Sequence, residues 1–315
     1  MKVLYIIGWG RSGSTLLDNL LGEVAEFFST GELRNLWHEA LQEDRKCGCG
    51  ELVIHCPVWS LVLTDVFGSN RREDIYSNRI LEWQRAALRS RSTWEILRAT
   101  TDSKTELEAY AKIMARIYHS VAGVTGARVV VDSSKVPSDA ALLTSIPEID
   151  PFFLHLVRDP RATAYSWQRL RARMDGRSVE NMPRFGLAKN AGSWVEFNLG
   201  AEAVRKRTHP GRFMQLRYED FISEPRVAIE RVAAFVGYPT STIPFSDART
   251  AELGINHTVS GNPSRFRTGS VVVKGDDEWI ARQSTMARWA TTLISLPYLG
   301  RYGYSVFPGH DRARS

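Results

Sequence analysis

A glycine- and serine-rich loop, residues 8–17, lies between an apolar run and a stretch with helical periodicity, and this order restricts the chain to few folds. The apolar run, residues 3–7, has the length and composition of a buried parallel strand. After the loop, leucines recur at helical spacing, which predicts a helix over residues 15–28. A strand, a glycine-rich turn and a helix in this order open an α/β fold whose turn suits an anion.

The loop has the spacing of a P-loop from Gly8 to Thr15, with Ser14 at the position of the phosphate-binding lysine. Glycines allow backbone N–H groups to converge on an anion, and the N-terminus of the following helix adds positive potential. Because the missing lysine contacts the β- and γ-phosphates of a nucleotide, its absence argues against triphosphate hydrolysis and ordinary kinase chemistry. Arg11 and the loop hydroxyls, including that of Ser12, suit a single 5'-phosphate that carries a sulfonate. The alternative is a strand-to-helix turn that merely requires small residues.

Further strands are predicted at residues 128–131, 152–157 and 212–216, with helices from 160 to about 173 and from 224 to 236. Residues 73–121 are expected to form a helical insertion with Trp94 among its inward residues. Strands that alternate with helices predict an α/β fold with a parallel sheet covered on both faces. The sequence shows no repeat, low-complexity linker or domain boundary, so residues 1–315 are predicted to form one domain.

A second group of anion-binding side chains follows the strand predicted at residues 152–157. Arg158 ends that strand, and Ser166 lies two turns into the helix that follows. Since ligands bind beyond the carboxyl ends of parallel strands, Arg158 and Ser166 are predicted to clasp a second phosphate, with Arg161 nearby. A surface Arg–Asp pair at a helix start is the alternative. Two anion sites after two strands of one sheet fit a nucleotide that is phosphorylated at both ends of its ribose.

These motifs resemble those of a known family. Residues 11–17 resemble the 5'-phosphosulfate loop of sulfotransferases that use 3'-phosphoadenosine 5'-phosphosulfate (PAPS), and residues 157–166 resemble their 3'-phosphate motif. Residues 218–237 resemble the strand-and-helix segment that comes next, and residues 261–269, here called the late loop, resemble the loop that closes over the nucleotide. The segments follow the family's order over about half of the chain, and the motifs are similar to those of bacterial, carbohydrate and tyrosyl-protein sulfotransferases.

The resemblance implies a P-loop-like parallel sheet flanked by helices, with helical insertions on the acceptor side. It implies PAPS as the donor substrate, adenosine 3',5'-bisphosphate (PAP) as the product, and a hydroxyl of a small-molecule, sugar or lipid acceptor. The residues implied in donor binding are Arg11, Ser12, Gly13, Ser14, Thr15, Leu16, Arg158, Ser166, Arg265, Arg267 and Gly269. The identity of the acceptor cannot be read from the sequence.

For catalysis, the resemblance implies Glu32 as the base, because tyrosyl-protein and some bacterial sulfotransferases carry a Gly-Glu pair at this point. His257, just before the late loop, is the reserve base, since other branches of the family use a histidine. Lys135 resembles the lysine that contacts the bridging oxygen or the sulfonate, and Arg11 is expected to stabilise the same charge. The alternatives are a helix-capping role for Glu32 and an ordinary surface turn for Lys135.

Asp132 keeps a rival function open, because it ends a run of three valines as the Walker B carboxylate of a Mg²⁺-dependent kinase or nucleotide hydrolase does. A non-catalytic module that binds a nucleotide or a sulfated ligand is a third interpretation.

The composition adds limits on partners and location. The net charge is +6, and most of the 41 basic residues are arginine, whose planar fork suits phosphate and sulfate, although a codon preference explains the same bias. Basic residues form no long run and do not alternate with aromatic ones, so no nucleic-acid partner is predicted. No stretch has the apolar length of a membrane span or a signal peptide, which predicts a cytoplasmic protein. The oligomeric state is left open.

All three cysteines lie in one short segment as Cys47, Cys49 and Cys56, and His55 precedes the last of them. Three thiols and one imidazole are the ligands of some zinc sites. The spacing is poor for such a site, because one residue separates Cys47 from Cys49 and none separates His55 from Cys56. A local disulfide or three ordinary thiols is therefore predicted, and no metal.

Overall fold

The computed structural model describes residues 1–69, 73–88, 92–98, 105–169, 172–173, 175–176, 180–239 and 242–307. The strands of this part of the chain are β1 (Lys2–Ile7), β2 (Phe27–Ser29), β3 (Val129–Lys135), β4 (Asp150–Val157), β5 (Ala172–Arg173), β6 (Glu180–Asn181), β7 (Phe213–Arg217), β8 (Thr250–Leu253) and β9 (Gly269–Val272). Its α-helices are α1 (Ser14–Gly22), α2 (Trp59–Phe67), α3 (Glu73–Ala87), α4 (Ser92–Arg98), α5 (Thr105–Thr125), α6 (Pro137–Leu143), α7 (Pro160–Gln168), α8 (Leu187–Arg207), α9 (Tyr218–Ser223), α10 (Pro225–Phe235), α11 (Glu278–Arg282) and α12 (Thr285–Leu299).

The central sheet has five parallel strands in the order β2-β3-β1-β4-β7. β1 lies in the middle, paired with β3 on one side and β4 on the other, which suits its uninterrupted apolar sequence. Two small antiparallel pairs, β5 with β6 and β8 with β9, lie outside this sheet.

Helices cover both faces of the sheet, as the alternating pattern predicts. Val3, Tyr5 and Ile7 of β1 belong to a buried cluster that includes residues of α2, α3 and α5. Leu4 and Ile6 belong to a second cluster with residues of α1 and α10. Because successive side chains of a strand point to opposite faces, this division places one helical layer on each side. The predicted α/β fold class is confirmed.

The helix predicted over residues 15–28 is wrong in its second half. α1 ends at Gly22, and β2 then pairs residues 27–29 with the start of β3. Glu26, with a φ of 69°, reverses the chain between the two elements. The helix after β4 likewise ends at Gln168 rather than near residue 173; residues 170, 171 and 174 lie outside the described part of the chain.

The helical insertion consists of α3, α4 and α5. Trp94 of α4 was predicted to point inward but is 43% exposed, and the buried residues of this helix are Ser92 and Thr93. Within the described residues, no helix combines the length and the apolar character required to cross a membrane.

Strands β1, β3 and β4 end at the same edge of the sheet, because they are parallel and adjacent. The loop after β1 carries Arg11, β3 ends at Lys135, and Arg158 directly follows β4. The fold thus brings together residues that are far apart in sequence, at the edge where parallel sheets bind ligands.

Candidate active site

The turn between β1 and α1 has the close backbone packing that requires glycine. Gly8 has a φ of 154°, and a Cβ there would lie 2.3 Å from the carbonyl oxygen of Leu156. Gly13 has a φ of 87°, and a Cβ there would lie 2.6 Å from the ring of Tyr218. In the described structure no side chain caps the N-terminus of α1, so its first backbone N–H groups are available to an anion.

A cavity of about 490 Å³ opens at this edge of the sheet and is called the sheet-edge cavity below. Of the residues predicted from the sequence, it is lined by Arg11, Gly13, Ser14, Thr15, Leu16, Glu32, Lys135, Arg158, Ser166 and Arg267. The sheet-edge cavity is therefore lined by residues of both predicted anion-binding motifs, by the predicted catalytic carboxylate of Glu32 and by the predicted catalytic amine of Lys135.

Glu32 and Lys135 form an ion pair inside this cavity. The Nζ atom of Lys135 lies 2.6 Å from Oε1 of Glu32 and donates a hydrogen bond to the carbonyl oxygen of Ser133 at 3.0 Å. Asn35 donates to the other carboxylate oxygen of Glu32 at 3.3 Å. These contacts fix a carboxylate and an ammonium group side by side next to the uncapped end of α1.

The carboxylate is also connected to the segment that leads into the late loop. The backbone N–H of Glu32 donates to the carbonyl oxygen of Ser260 at 3.1 Å, and Asn35 donates to Oγ of Ser260 at 3.2 Å. Ser260 in turn donates to Oε2 of Glu39 at 2.6 Å. The turn that carries Glu32 and the segment that leads into the late loop are therefore joined by hydrogen bonds.

Arg158 is buried between the loop after β1 and the residues before α11. Its guanidinium donates to the carbonyl oxygen of Arg11 at 3.0 Å and to that of Asp276 at 2.8 Å, and it lies 4.3 Å from the ring centre of Tyr218. Its Nε has no hydrogen-bond partner among the described residues, although it is buried. A buried guanidinium with an unused donor is suited to bind an anion, and Ser166 lines the same space.

Arg161, expected near the second phosphate, has a different role. It is fully buried outside the cavity lining, and its Nε and Nη2 donate to the carboxylate of Asp159 at 2.9 and 2.5 Å. Its guanidinium also lies 5.6 Å from the ring centre of Trp279. Because its guanidinium donates to Asp159, the residue that precedes α7, Arg161 stabilises the start of this helix.

Asp132 is oriented away from the sheet-edge cavity. One carboxylate oxygen accepts from the hydroxyl of Tyr118 at 2.5 Å, and the other accepts from the backbone N–H of Ser134 at 2.8 Å. Burial raises the pKa of Asp132 to about 6, which marks an enclosed carboxyl. A Walker B carboxylate would have to face the phosphates, so this geometry disfavours the kinase or hydrolase interpretation.

Ser12, Arg265, Gly269 and His257 were also predicted site residues, and the structure does not place them in the cavity lining. Ser12 is buried, and Gly269 begins β9 at the surface. Arg265 donates to the carbonyl oxygens of Thr258 and Lys46, both at 2.6 Å, and forms an ion pair with Asp175 at 3.0 Å. Its contacts are therefore within the protein.

His257 lies beside the cysteines instead of beside Glu32. Its Nδ1 is 3.2 Å from Sγ of Cys56, and its ring stacks near Phe28 with ring centres 6.4 Å apart. The structure therefore brings Glu32, rather than the reserve base, next to Lys135.

Sequence reasoning missed several residues that line the cavity, among them Asn35, Glu39 and Trp167. Trp167 stacks on Arg11, whose guanidinium is 4.8 Å from a ring centre, and it leaves no room for a side chain at Gly10. Its position next to Ser166 is the one signal in the sequence that could have identified it. Asn35 and Glu39 carry no such signal, because they reach the cavity through a turn of 3-10 helix, Leu33–Asn35, and a π-helical segment, Leu36–Gln42.

Residues 54–242 match the sulfotransferase family, a range that includes Lys135, Arg158 and Ser166 but not the loop at 8–17. A sulfotransferase domain from the curacin biosynthetic pathway superposes with a TM-score of 0.51 at 16% identity, over 96% of this chain and 98% of its own. A sulfotransferase domain from the Synechococcus PCC 7002 olefin synthase superposes with a TM-score of 0.52 at 19% identity, over 95% of this chain and 94% of its own. No curated protein matches the sequence.

Proposed function

This chain belongs to the sulfotransferase family, and on that premise we propose that it transfers a sulfuryl group from PAPS to a hydroxyl of a small-molecule, sugar or lipid acceptor. The observation that carries the proposal is the Glu32–Lys135 ion pair in the same cavity as the uncapped N-terminus of α1. A base and a cation beside an anion-binding helix end are the groups that sulfuryl transfer requires.

The donor is proposed to span the two anion-binding parts of the sheet-edge cavity. Its 5'-phosphosulfate binds at the N-terminus of α1 with Arg11, Ser14 and Thr15, all of which line the cavity. Its 3'-phosphate binds Arg158 and Ser166, where the buried Nε of Arg158 offers an unused donor.

In the proposed reaction, Glu32 accepts the proton of the acceptor hydroxyl as its oxygen forms a bond to sulfur. The bond between sulfur and the bridging oxygen breaks, and PAP leaves with that oxygen. Lys135, which pairs with Glu32 at 2.6 Å before the donor binds, turns its Nζ to the bridging oxygen and neutralises the charge that develops there. With Arg11 and the helix N-terminus supplying further positive charge, the transfer needs no metal ion in the cavity.

Calorimetric titration with PAP and with AMP tests the donor assignment. The nucleotides differ by the 3'-phosphate, so PAP is expected to bind more tightly by about tenfold or more, because charge-assisted hydrogen bonds to Arg158 contribute about 1.5–3 kcal/mol. Equal affinity for the two nucleotides would refute the proposal. Transfer from PAPS to a panel of alcohols, phenols and sugars, followed by the mass increase of the product, then identifies the acceptor class.

A further inference from the structure

Cys47, Cys49, Cys56 and His257 form a cluster in which the four ligand atoms all lie within 4.8 Å of one another. The shortest of these distances given by the structure is 3.2 Å, between Sγ of Cys56 and Nδ1 of His257. In a tetrahedral zinc site with Zn–S bonds of about 2.3 Å, the ligand atoms are about 3.5–3.8 Å apart. We propose that these four side chains bind one structural zinc ion.

The first two cysteines are positioned by a tight hairpin over residues 46–52, called the cysteine hairpin. Lys46 pairs with Leu52 across it, and the N–H of Cys47 donates to the carbonyl oxygen of Glu51 at 2.7 Å. The N–H of Gly50 donates back to the carbonyl oxygen of Cys47 at 2.8 Å, and Gly50 has a φ of 92°. The backbone therefore holds Cys47 and Cys49 on one compact turn, so a spacing of one residue does not prevent both from binding one ion.

The third cysteine follows the hairpin after one turn of 3-10 helix, Val53–His55. The N–H of Cys56 donates to the carbonyl oxygen of Leu52 at 2.9 Å, so Cys56 folds back to the end of the hairpin. His55 is exposed and is not part of the cluster. The fourth ligand comes instead from residue 257, which no spacing rule for short zinc motifs includes.

His257 is held in place by contacts that do not depend on a metal. Its carbonyl oxygen accepts a hydrogen bond from Nε1 of Trp59 at 2.6 Å, and its ring stacks near Phe28. The N–H of Gly48 donates to the carbonyl oxygen of Thr258 at 2.9 Å, which docks the cysteine hairpin beside His257. The contact is close: a Cβ on Gly48 would lie 1.9 Å from Oδ1 of Asn256.

The chemistry of the ligand set favours zinc over a disulfide. All three cysteines are free thiols, and two of them, Cys47 and Cys56, are buried. A disulfide would account for only two of the four side chains, and the convergence of the third thiol and His257 on the same point would have no explanation. Three thiolates and one imidazole in a closed arrangement are the ligands of structural zinc sites, which keep no open position for substrate.

The proposed zinc site also affects the sheet-edge cavity, because it holds the segment that leads into the late loop. This step rests on the proposed function, in which the cavity binds the donor. The cluster joins the cysteine hairpin to His257, three residues before Ser260 and shortly before Arg267, both of which line the cavity. Arg265 forms a second connection between the same two segments through the carbonyl oxygens of Lys46 and Thr258. Zinc is therefore expected to fix the late loop over the donor.

Metal analysis of the purified full chain, prepared without chelators, tests the site. About one zinc ion per chain is expected in the wild type. His257→Asn and Cys56→Ser are expected to lower the zinc content at least about fivefold, because a closed site loses affinity with any ligand. His55→Asn is the matched control and should retain the ion. Replacement of zinc by Co²⁺ in the wild type should give the intense visible absorption of tetrahedral thiolate coordination, which does not depend on any variant folding well.

The zinc site would be overturned by a wild-type chain that holds no metal after growth with zinc and takes up no Co²⁺, or by a zinc content unaffected by His257→Asn. A Cys47–Cys56 disulfide found by mass spectrometry in the native chain would have the same meaning.

PAP affinity of the zinc-loaded and the zinc-depleted chain then separates the two proposals. Weaker PAP binding after depletion supports the role of zinc in holding the late loop, and unchanged binding rejects that role. Zinc-loaded protein that fails to bind PAP rejects the donor assignment and leaves the metal result unaffected.

Discussion

At the residue scale, Lys135 has a φ of 73°, a backbone conformation that residues with a side chain rarely adopt. It ends β3, and this conformation accompanies the return of its Nζ to the carbonyl oxygen of Ser133 and to Glu32. A left-handed conformation costs about 1–2 kcal/mol for such a residue. Backbone strain of this kind is concentrated at functional sites, which agrees with the catalytic role proposed for the pair.

Glu32→Gln is expected to lower the rate of sulfuryl transfer by about 100-fold or more, because the amide cannot accept the proton of the acceptor. PAP affinity should change little, since the hydrogen bond from Asn35 is retained by the amide oxygen. Steady-state kinetics and calorimetry measure the two effects separately.

Glu39→Gln is the matched control, because Glu39 is also a carboxylate in the cavity lining but is hydrogen-bonded to Ser260. A loss of turnover as large as that of Glu32→Gln would show that the base is not specifically Glu32.

Asp18 makes the stability of the protein depend on pH. Burial raises the pKa of Asp18 from 3.8 to about 7, against a hydrogen bond from Ser29 that lowers it. Between these values the folded chain binds more protons than the unfolded chain, so this carboxyl lowers stability progressively as the pH rises. Asp18→Asn removes that dependence.

Urea unfolding at about pH 5 and about pH 7.5 should therefore show the stability of Asp18→Asn relative to wild type increasing with pH. The exposed Asp65 provides a control, since Asp65→Asn leaves the buried carboxyl in place. A difference between Asp18→Asn and wild type that is the same at both pH values would contradict the assignment.

At the scale of elements, the late loop contains two arginines that the resemblance treats alike and the structure separates. Arg265 is buried with Asp175, whereas Arg267 is exposed and lines the sheet-edge cavity. Arg265→Ala is expected to lower the free energy of unfolding by about 3–5 kcal/mol, because it leaves the buried Asp175 charge with fewer partners. Arg267→Ala should leave stability unchanged and weaken PAP binding.

Urea unfolding should show a lower free energy of unfolding for Arg265→Ala and no change for Arg267→Ala. Calorimetry should show weaker PAP binding for Arg267→Ala. If Arg265→Ala reduced PAP affinity without a loss of stability, Arg265 would belong to the donor site after all.

The elements that the sequence predicted are those whose signals are local. β1, β3, β4 and β7 are apolar runs next to glycine or charge, and their positions agree with the structure to within a few residues. β2 was missed because its pairing partner β3 lies about a hundred residues away, and leucine spacing extended the helix across it. This strand is nevertheless the element that leads the chain to Glu32, so the role proposed for Glu32 came from the resemblance rather than from the predicted fold.

The cysteine cluster was missed for the same reason, because its histidine is distant from the three cysteines in sequence. Cys56 and His257 are 201 residues apart, and no pattern in the sequence near either residue predicts their contact. His55, next to Cys56 in sequence, was the histidine considered with the three cysteines and judged poorly spaced for a metal site; it is exposed and lies outside the cluster.

At the scale of the whole molecule, the sheet-edge cavity is assembled from segments near both ends of the chain and from its middle. The loop at 8–17 and Glu32 precede the range that matches the family, and Arg267 follows it. The parallel sheet brings these segments together because its strands end at one edge, and the alternation of strands and helices in the sequence predicts that edge. The direction of each side chain at the edge depends on packing, which the alternation does not predict. The single domain over residues 1–315 remains a prediction from the sequence.

Because the donor is proposed to contact segments from the whole chain, its binding should stabilise the folded chain against global unfolding rather than stabilise one region. PAP at about 100 times its Kd is expected to raise the free energy of unfolding by about 2.7 kcal/mol. Arg158→Gln should reduce this stabilisation to the level given by AMP at the same concentration, because it removes the contact with the 3'-phosphate. Ser166→Ala, a smaller change in the same part of the cavity, should give an intermediate value.

Thermal and urea unfolding with each nucleotide provide the measurement, and AMP serves as the matched ligand because it lacks only the 3'-phosphate. The reference is each variant without nucleotide, since the guanidinium of Arg158 also binds the carbonyl oxygens of Arg11 and Asp276. A PAP stabilisation of Arg158→Gln that still exceeds that of AMP would move the 3'-phosphate away from Arg158. The bisphosphate assignment would then rest on another cation of the cavity, with Arg267 the first to examine.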